Sequence, residues 1–186
     1  VTEPTVVDMS DVEEIEEEEV TAKEDIPESQ EQEKAVLEPH NFRIQDNDLG
    51  AGGPKAKYKT NMEAIHLLQT LEKEERLATP EEQEILSRYV GWGGIPQAFE
   101  ESNSSWANEY LELKNTLSSE EYSAARASTL NAFYTSPTVI RSMYEVLENM
   151  GLKQGNILEP SCGVGNFMGL IPESMGKANM YGVELD

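Results

Sequence analysis

One cysteine, two histidines and 14 lysines and arginines are few for a chain of 186 residues, and each shortage excludes something. With Cys162 alone, no disulfide framework can form within the chain. His40 and His66 have no cysteine or histidine partner at ligand spacing, so no metal centre is expected. Against 36 acidic residues the few basic ones leave a net charge of -22. Affinity for a phosphate backbone comes from Lys and Arg displacing counterions, so this stretch alone is a poor candidate to grip a nucleic acid. No apolar run approaches the roughly 20 residues of a membrane span, which argues against a membrane partner. The start carries no signal-peptide pattern, which reads as cytoplasmic.

The negative charge is unevenly spread. Residues 1–40 hold 15 acids against Lys23 and Lys34, a balance of -13 that leaves -9 for the rest. A run such as Glu13-Glu14-Ile15-Glu16-Glu17-Glu18-Glu19 cannot bury enough apolar surface to offset its ordering entropy, so residues 1–40 read as a disordered acidic tail. The chain begins with Val1 and ends within a strand-like pattern, Tyr181 to Asp186, which is how a piece of a longer protein would read.

Residues 41–131 read as a helical lead-in region. Asn41-Phe42-Arg43-Ile44 precedes a turn-rich stretch, Asp48 to Pro54, after which Met62, Ile65, Leu68 and Leu71 recur at helical spacing and predict a helix from Asn61 to about Leu77. Thr79-Pro80-Glu81-Glu82 is a capping box with proline at the first helical position, opening a helix whose apolar face is Ile85, Leu86, Tyr89 and Val90. Gly91-Trp92-Gly93-Gly94 must break that helix, either as a tight packing corner or as a contact loop. Trp106, Tyr110, Leu113 and Leu117 form a further helical stripe, read as core, and Ser118-Ser119-Glu120-Glu121 is a second capping box.

From Ser136 the pattern changes to helix, strand, glycine loop, helix, strand. Ser136-Pro137 starts a helix with Ser136 as cap and Val139, Ile140, Met143, Tyr144 and Leu147 as its buried face, ended by Gly151. Asn156-Ile157-Leu158-Glu159 reads as a short buried strand and Met180 to Glu184 as a second, the two joined through Pro160 to Phe167 as a right-handed β-α-β unit. Glycines at such a turn let a ligand approach the backbone, and an acid ending the second strand can accept from a ribose. Glu184 lies 19 residues after Gly165, near the roughly 20 expected of dinucleotide-binding units. Gly163-Val164-Gly165 with Gly169 also approximates a flavin or nicotinamide fingerprint, so the spacing leaves the cofactor open.

The run from Ile157 to Phe167 closely resembles the first cofactor motif of adenine-N6 DNA methyltransferases, with its acid, proline, small pair, Gly-x-Gly and aromatic. Phe133-Tyr134-Thr135-Ser136-Pro137 resembles the motif that precedes it in those enzymes, and Tyr181 to Asp186 resembles their second motif. More loosely, the stretch from Asn41 through Gly91-Trp92-Gly93-Gly94 to Tyr134 resembles the lead-in of large methylase-helicase proteins of conjugative elements and phages. The resemblance implies an α/β fold: a partial Rossmann-like class I methyltransferase unit over 132–186, truncated at its C-terminus and preceded by the helical region and the tail.

It also implies S-adenosyl-L-methionine as cofactor. Tyr134, Thr135 and Pro137 would close over the methionine end, Glu159 would orient its amino group, Gly163 and Gly165 would give backbone access within the Pro160-Ser161 to Asn166 turn, and Glu184, in preference to Asp186, would hold the ribose. Cys162 and Phe167 read as packing residues, since Cys162 lacks a cationic partner and Phe167 is of a type usually buried. DNA would be the substrate, bound by parts outside this sequence. The family's Asn- or Asp-Pro-Pro-aromatic tetrapeptide, which holds the flipped adenine, is absent: neither Asn166 nor Asn179 is followed by prolines, so no catalytic residue is assigned and this piece is expected to be inactive alone. No nucleotide-triphosphate loop is present either, so a helicase activity would belong elsewhere in the parent. Two other readings stay open, a dinucleotide-binding piece of an oxidoreductase and a non-enzymatic interaction segment. Oligomeric state is not legible.

Overall fold

A computed structural model of the protein describes residues 41–184. The acidic tail with His40, and Leu185 and Asp186, lie outside the described residues. The order is α1 (Pro54–Glu74), α2 (Pro80–Ser87), two short 3-10 turns, α3 (Ala107–Thr116), α4 (Ser119–Ser128), α5 (Pro137–Asn149), β1 (Asn156–Glu159), α6 (Asn166–Gly169), a third 3-10 turn and β2 (Asn179–Gly182).

The helical starts follow local chemistry. Thr79 Oγ1 accepts from the Glu82 amide while Glu82 accepts from the Thr79 amide, and Ser118 and Glu121 repeat the exchange at α4, so both predicted capping boxes are formed. α1 begins seven residues before its predicted start. Pro54 occupies its first turn, where a missing N–H costs nothing, and the Lys55, Lys57 and Lys59 stretch that follows has no apolar period to reveal it. α5 begins at Pro137 as expected, but Ser136 supplies no side-chain cap.

Two apolar clusters hold these elements. The first gathers Tyr58 and Met62 of α1, Trp92, Ile95 and Phe99 after α2, Trp106, Leu113 of α3 and Tyr122 of α4. Its aromatic rings meet edge to face, Trp92 to Phe99 at 5.3 Å and Tyr58 to Trp106 at 5.9 Å, the arrangement the ring quadrupoles favour. Lys55 Nζ lies 4.1 Å from the Trp106 ring centre and pairs with Glu109, closing the cluster's edge.

The second cluster packs Ile140 and Tyr144 of α5 on Leu170, Ile171 and Met175 of the crossover, with Ile157 and Met180 of the strands against it. Ile44, from the segment read with the helical region, joins this cluster, and its amide donates to the Gly169 carbonyl at 2.9 Å. A Cβ on Gly169 would stand 2.6 Å from Ile44 Cδ1, so glycine there admits the isoleucine.

β1 and β2 pair in parallel, Ile157 beside Met180 and Leu158 beside Tyr181. The chain is thus mixed, mostly helical with a small two-stranded parallel sheet. β1 is not the buried strand expected, because only one face of the sheet is covered: Leu158 is 62% and Tyr181 53% exposed. α5 behaves alike. Ile140, Tyr144 and Leu147 turn inward, whereas Val139 and Met143, expected inside, align with Val146 and Met150 on an exposed apolar stripe. No helix of the described residues is long and apolar enough to cross a membrane.

Candidate cofactor-binding site

β1 delivers Glu159 to the mouth of a tight turn, and two left-handed glycines make that turn possible. Gly163 has φ +51° and Gly165 φ +81°, and the Gly165 amide donates to the Cys162 carbonyl at 2.8 Å. β2 continues the ladder beside it, with Val183 N–H to the Glu159 carbonyl and Cys162 N–H to the Val183 carbonyl, both at 2.9 Å. This register carries Glu184 across the turn. Its Oε2 accepts from the Gly163 amide at 2.5 Å, so this carboxylate, two residues beyond β2 and not within the strand as expected, faces the glycine bend.

Tyr134 forms the opposite wall. A Cβ built on Gly163 would lie 2.6 Å from Tyr134 Cε1, so the ring rests on the glycine itself. The structure therefore brings Tyr134, Gly163 and Glu184 together. Gly163 is required by the ring as well as by its φ, whereas a Cβ on Gly165 would meet nothing within 4 Å, leaving that side of the turn open. Thr135 and Ser136 are exposed, and Pro137 is buried at the start of α5.

Glu159 Oε1 accepts weakly from the Ser161 amide at 3.4 Å. Tyr144 donates to the Phe167 carbonyl at 2.7 Å, and burial, reinforced by the nearby Glu159 carboxylate, pushes its phenol up to about 12. Phe167 itself packs partly buried against Tyr144, ring centres 6.2 Å apart. The Cys162 side chain lies against β2, where a Cβ on Gly182 would come within 2.9 Å of its Sγ. Asn166, with Val164 and Gly165, lines a cavity of about 330 Å³ together with Gln83, Leu86 and Ser87 of α2 and with Phe42, Ile44 and Met168.

No family model matches the chain, and neither does any curated protein or solved structure. Among the described residues no group of three or more metal-ligating side chains gathers to hold an ion.

Of the two readings of Gly91-Trp92-Gly93-Gly94 the packing corner is the one observed, and what it packs against is the back of the site. The backbone of Ala132 to Tyr134 runs over Gly91-Trp92-Gly93-Gly94: a Cβ on Gly91 would lie 2.8 Å from Tyr134 Cε2, and one on Gly93 would lie 2.1 Å from the Ala132 carbonyl oxygen. Asn61 of α1, fully buried, holds the turn in place. Its Nδ2 donates to the Gly91 carbonyl at 2.7 Å and its Oδ1 accepts from the Val90 amide at 2.9 Å. Tyr89 stands beside Tyr134, its phenol pushed up to about 12 chiefly by burial. A polar residue in the apolar stripe of α1 was the available signal, since a buried Asn must find partners.

Proposed function

We propose that residues 132–186 are the S-adenosyl-L-methionine-binding portion of a cytoplasmic DNA adenine-N6 methyltransferase, with its base-holding tetrapeptide outside this sequence. The observation that carries the reading is the convergence on Gly163, where the Tyr134 ring covers the glycine and the Glu184 carboxylate accepts from its amide. The three segments that resemble the family's motifs in order thus enclose one turn.

The residues suit the cofactor chemically. An acid at the end of the second strand accepts from vicinal ribose hydroxyls, Glu159 is an apt partner for an ammonium group, and Tyr134 offers a π face to a sulfonium. The cofactor would supply the activated methyl group, while these side chains bind and orient it. The architecture is read as a partial Rossmann-like unit. Its bare sheet face at Leu158, Tyr181 and Val183, and the Val139 to Met150 stripe of α5, would be covered by further strands and helices of such a domain, because parallel sheets are normally covered on both faces.

DNA would be gripped by basic parts of the parent protein, as the -22 charge of this stretch requires. The test is a thermal-shift series with S-adenosylmethionine, S-adenosylhomocysteine and NAD. Stabilisation by the first two supports the reading, and stabilisation by NAD alone replaces it with a dinucleotide-binding one.

A further inference from the structure

The Gly91-Trp92-Gly93-Gly94 turn belongs to the first apolar cluster and lies some seventy residues before the cofactor turn, yet the two share one side chain. A Cβ built on Gly91 or on Gly163 would stand 2.8 or 2.6 Å from the Tyr134 ring, at Cε2 and Cε1 respectively, closer than a Cβ tolerates. Gly93 has no positive φ to explain it. Its glycine is demanded by the Ala132 carbonyl 2.1 Å from where a Cβ would sit. The Gly94 amide donates to the buried Thr129 carbonyl at 3.3 Å, fixing the turn to the end of α4 just before the strap begins. The buried Asn61 anchors the turn's other end to α1.

We propose that Gly91-Trp92-Gly93-Gly94 is a positioning element of the candidate cofactor site: it seats the Ala132-Phe133-Tyr134 strap and so sets the place of the Tyr134 ring over Gly163. In this arrangement the helical region is a built-in part of the pocket. A close-packed contact transmits a displacement of the strap directly to the turn it covers, because neither glycine leaves slack between ring and backbone. Gly93 is a positioning residue that acts through the strap, while Tyr134, Gly163 and Glu184 line the site itself. The proposal rests on the sulfonium-nucleoside reading for its functional consequence, and on packing alone for its structural one.

The experiment uses the full chain with two readouts. Hydrogen exchange at the Gly163 amide, which donates to Glu184, reports the turn without any ligand, and calorimetric titration with S-adenosylhomocysteine reports the pocket. Gly93→Ala is expected to accelerate Gly163 exchange at least fivefold and to weaken S-adenosylhomocysteine at least tenfold. Tyr134→Ala, which adds no bulk to the turn and serves should Gly93→Ala fail to fold, is expected to do the same. Leu113→Ala, which loosens the first cluster away from the strap, leaves Gly163 exchange within twofold. Unchanged exchange in Gly93→Ala, or acceleration in Leu113→Ala equal to that in Gly93→Ala, overturns the proposal. Absence of binding by the unsubstituted chain overturns the cofactor reading, and the exchange arm still decides the positioning.

Discussion

Replacing Asn61 by alanine should be among the most damaging single changes available outside the apolar clusters. Asn61 is fully buried and its amide meets two backbone groups of another segment, the Gly91 carbonyl at 2.7 Å and the Val90 amide at 2.9 Å. Truncation orphans both. A buried polar group left unpaired costs about 1–3 kcal/mol, and the Val90 amide, half-buried, can recover part of that from water, so the expected loss is about 3 kcal/mol. For a domain of this size that is a fall in Tm of roughly 6–12 °C. The measurement is urea unfolding followed by the emission of Trp92 and Trp106, with the m-value required to stay constant. Asn61→Asp sharpens the test. It keeps an acceptor for the Val90 amide but turns an uncompensated carboxylate toward the Gly91 carbonyl, so at pH 7 it should be no more stable than the alanine variant. Burial without a cation favours the protonated acid, which can donate to that carbonyl, so stability should return as the pH is lowered. A loss below about 1 kcal/mol for the alanine variant, or an aspartate variant as stable as the parent at pH 7, would refute the clamp.

Three other outcomes follow from particular contacts. Thr79→Ala should cost about 1 kcal/mol through the lost cap, measured by the same unfolding curves. Glu82, held at about 2 against an ordinary 4.5 by the Arg76 guanidinium and by the Thr79 amide, contributes stability that is complete above pH 4.5 and lost as the pH falls toward 2, and Glu82→Gln should flatten that limb of the pH–stability profile. Glu184→Gln, which removes the charge from the acceptor facing Gly163, should weaken S-adenosylhomocysteine about tenfold or more in calorimetry with little change in Tm, and an unaltered affinity would remove Glu184 from the site.

What could be read in advance was what depends on near neighbours. The capping boxes at Thr79 and Ser118 need only residues three positions apart, and both formed. The β1 boundaries, Asn156 to Glu159, follow from an apolar pair, Ile157 and Leu158, in a short segment bounded by Gly155 and Pro160. The start of α1 was hidden because a helix turn made of Lys55, Lys57 and Lys59 has no apolar period, and only Tyr58 within it is buried. α5 carries two apolar stripes, and composition cannot say which of them finds a partner. Ile140 and Tyr144 meet the crossover, and Val139 and Met143 do not.

The glycines show the same limit at the candidate site itself. As letters in a sequence, Gly91, Gly93, Gly163 and Gly169 all say that a side chain is unwelcome, and each lies against a distant segment: Tyr134 for the first and third, whose positive φ adds to the demand, the Ala132 carbonyl for the second, Ile44 for the last. Reading Gly163 as an opening for a ligand's approach explains its conformation but not its tightest contact. That contact is an aromatic ring seated on a turn from the helical region, so one substitution at Gly93, chemically remote from any ligand, bears on the same wall of the pocket as one at Tyr134. A pocket built this way has its wall set by the contact between two segments that fold in different apolar clusters, so a change at that contact reaches the cofactor turn where a change elsewhere in the first cluster does not.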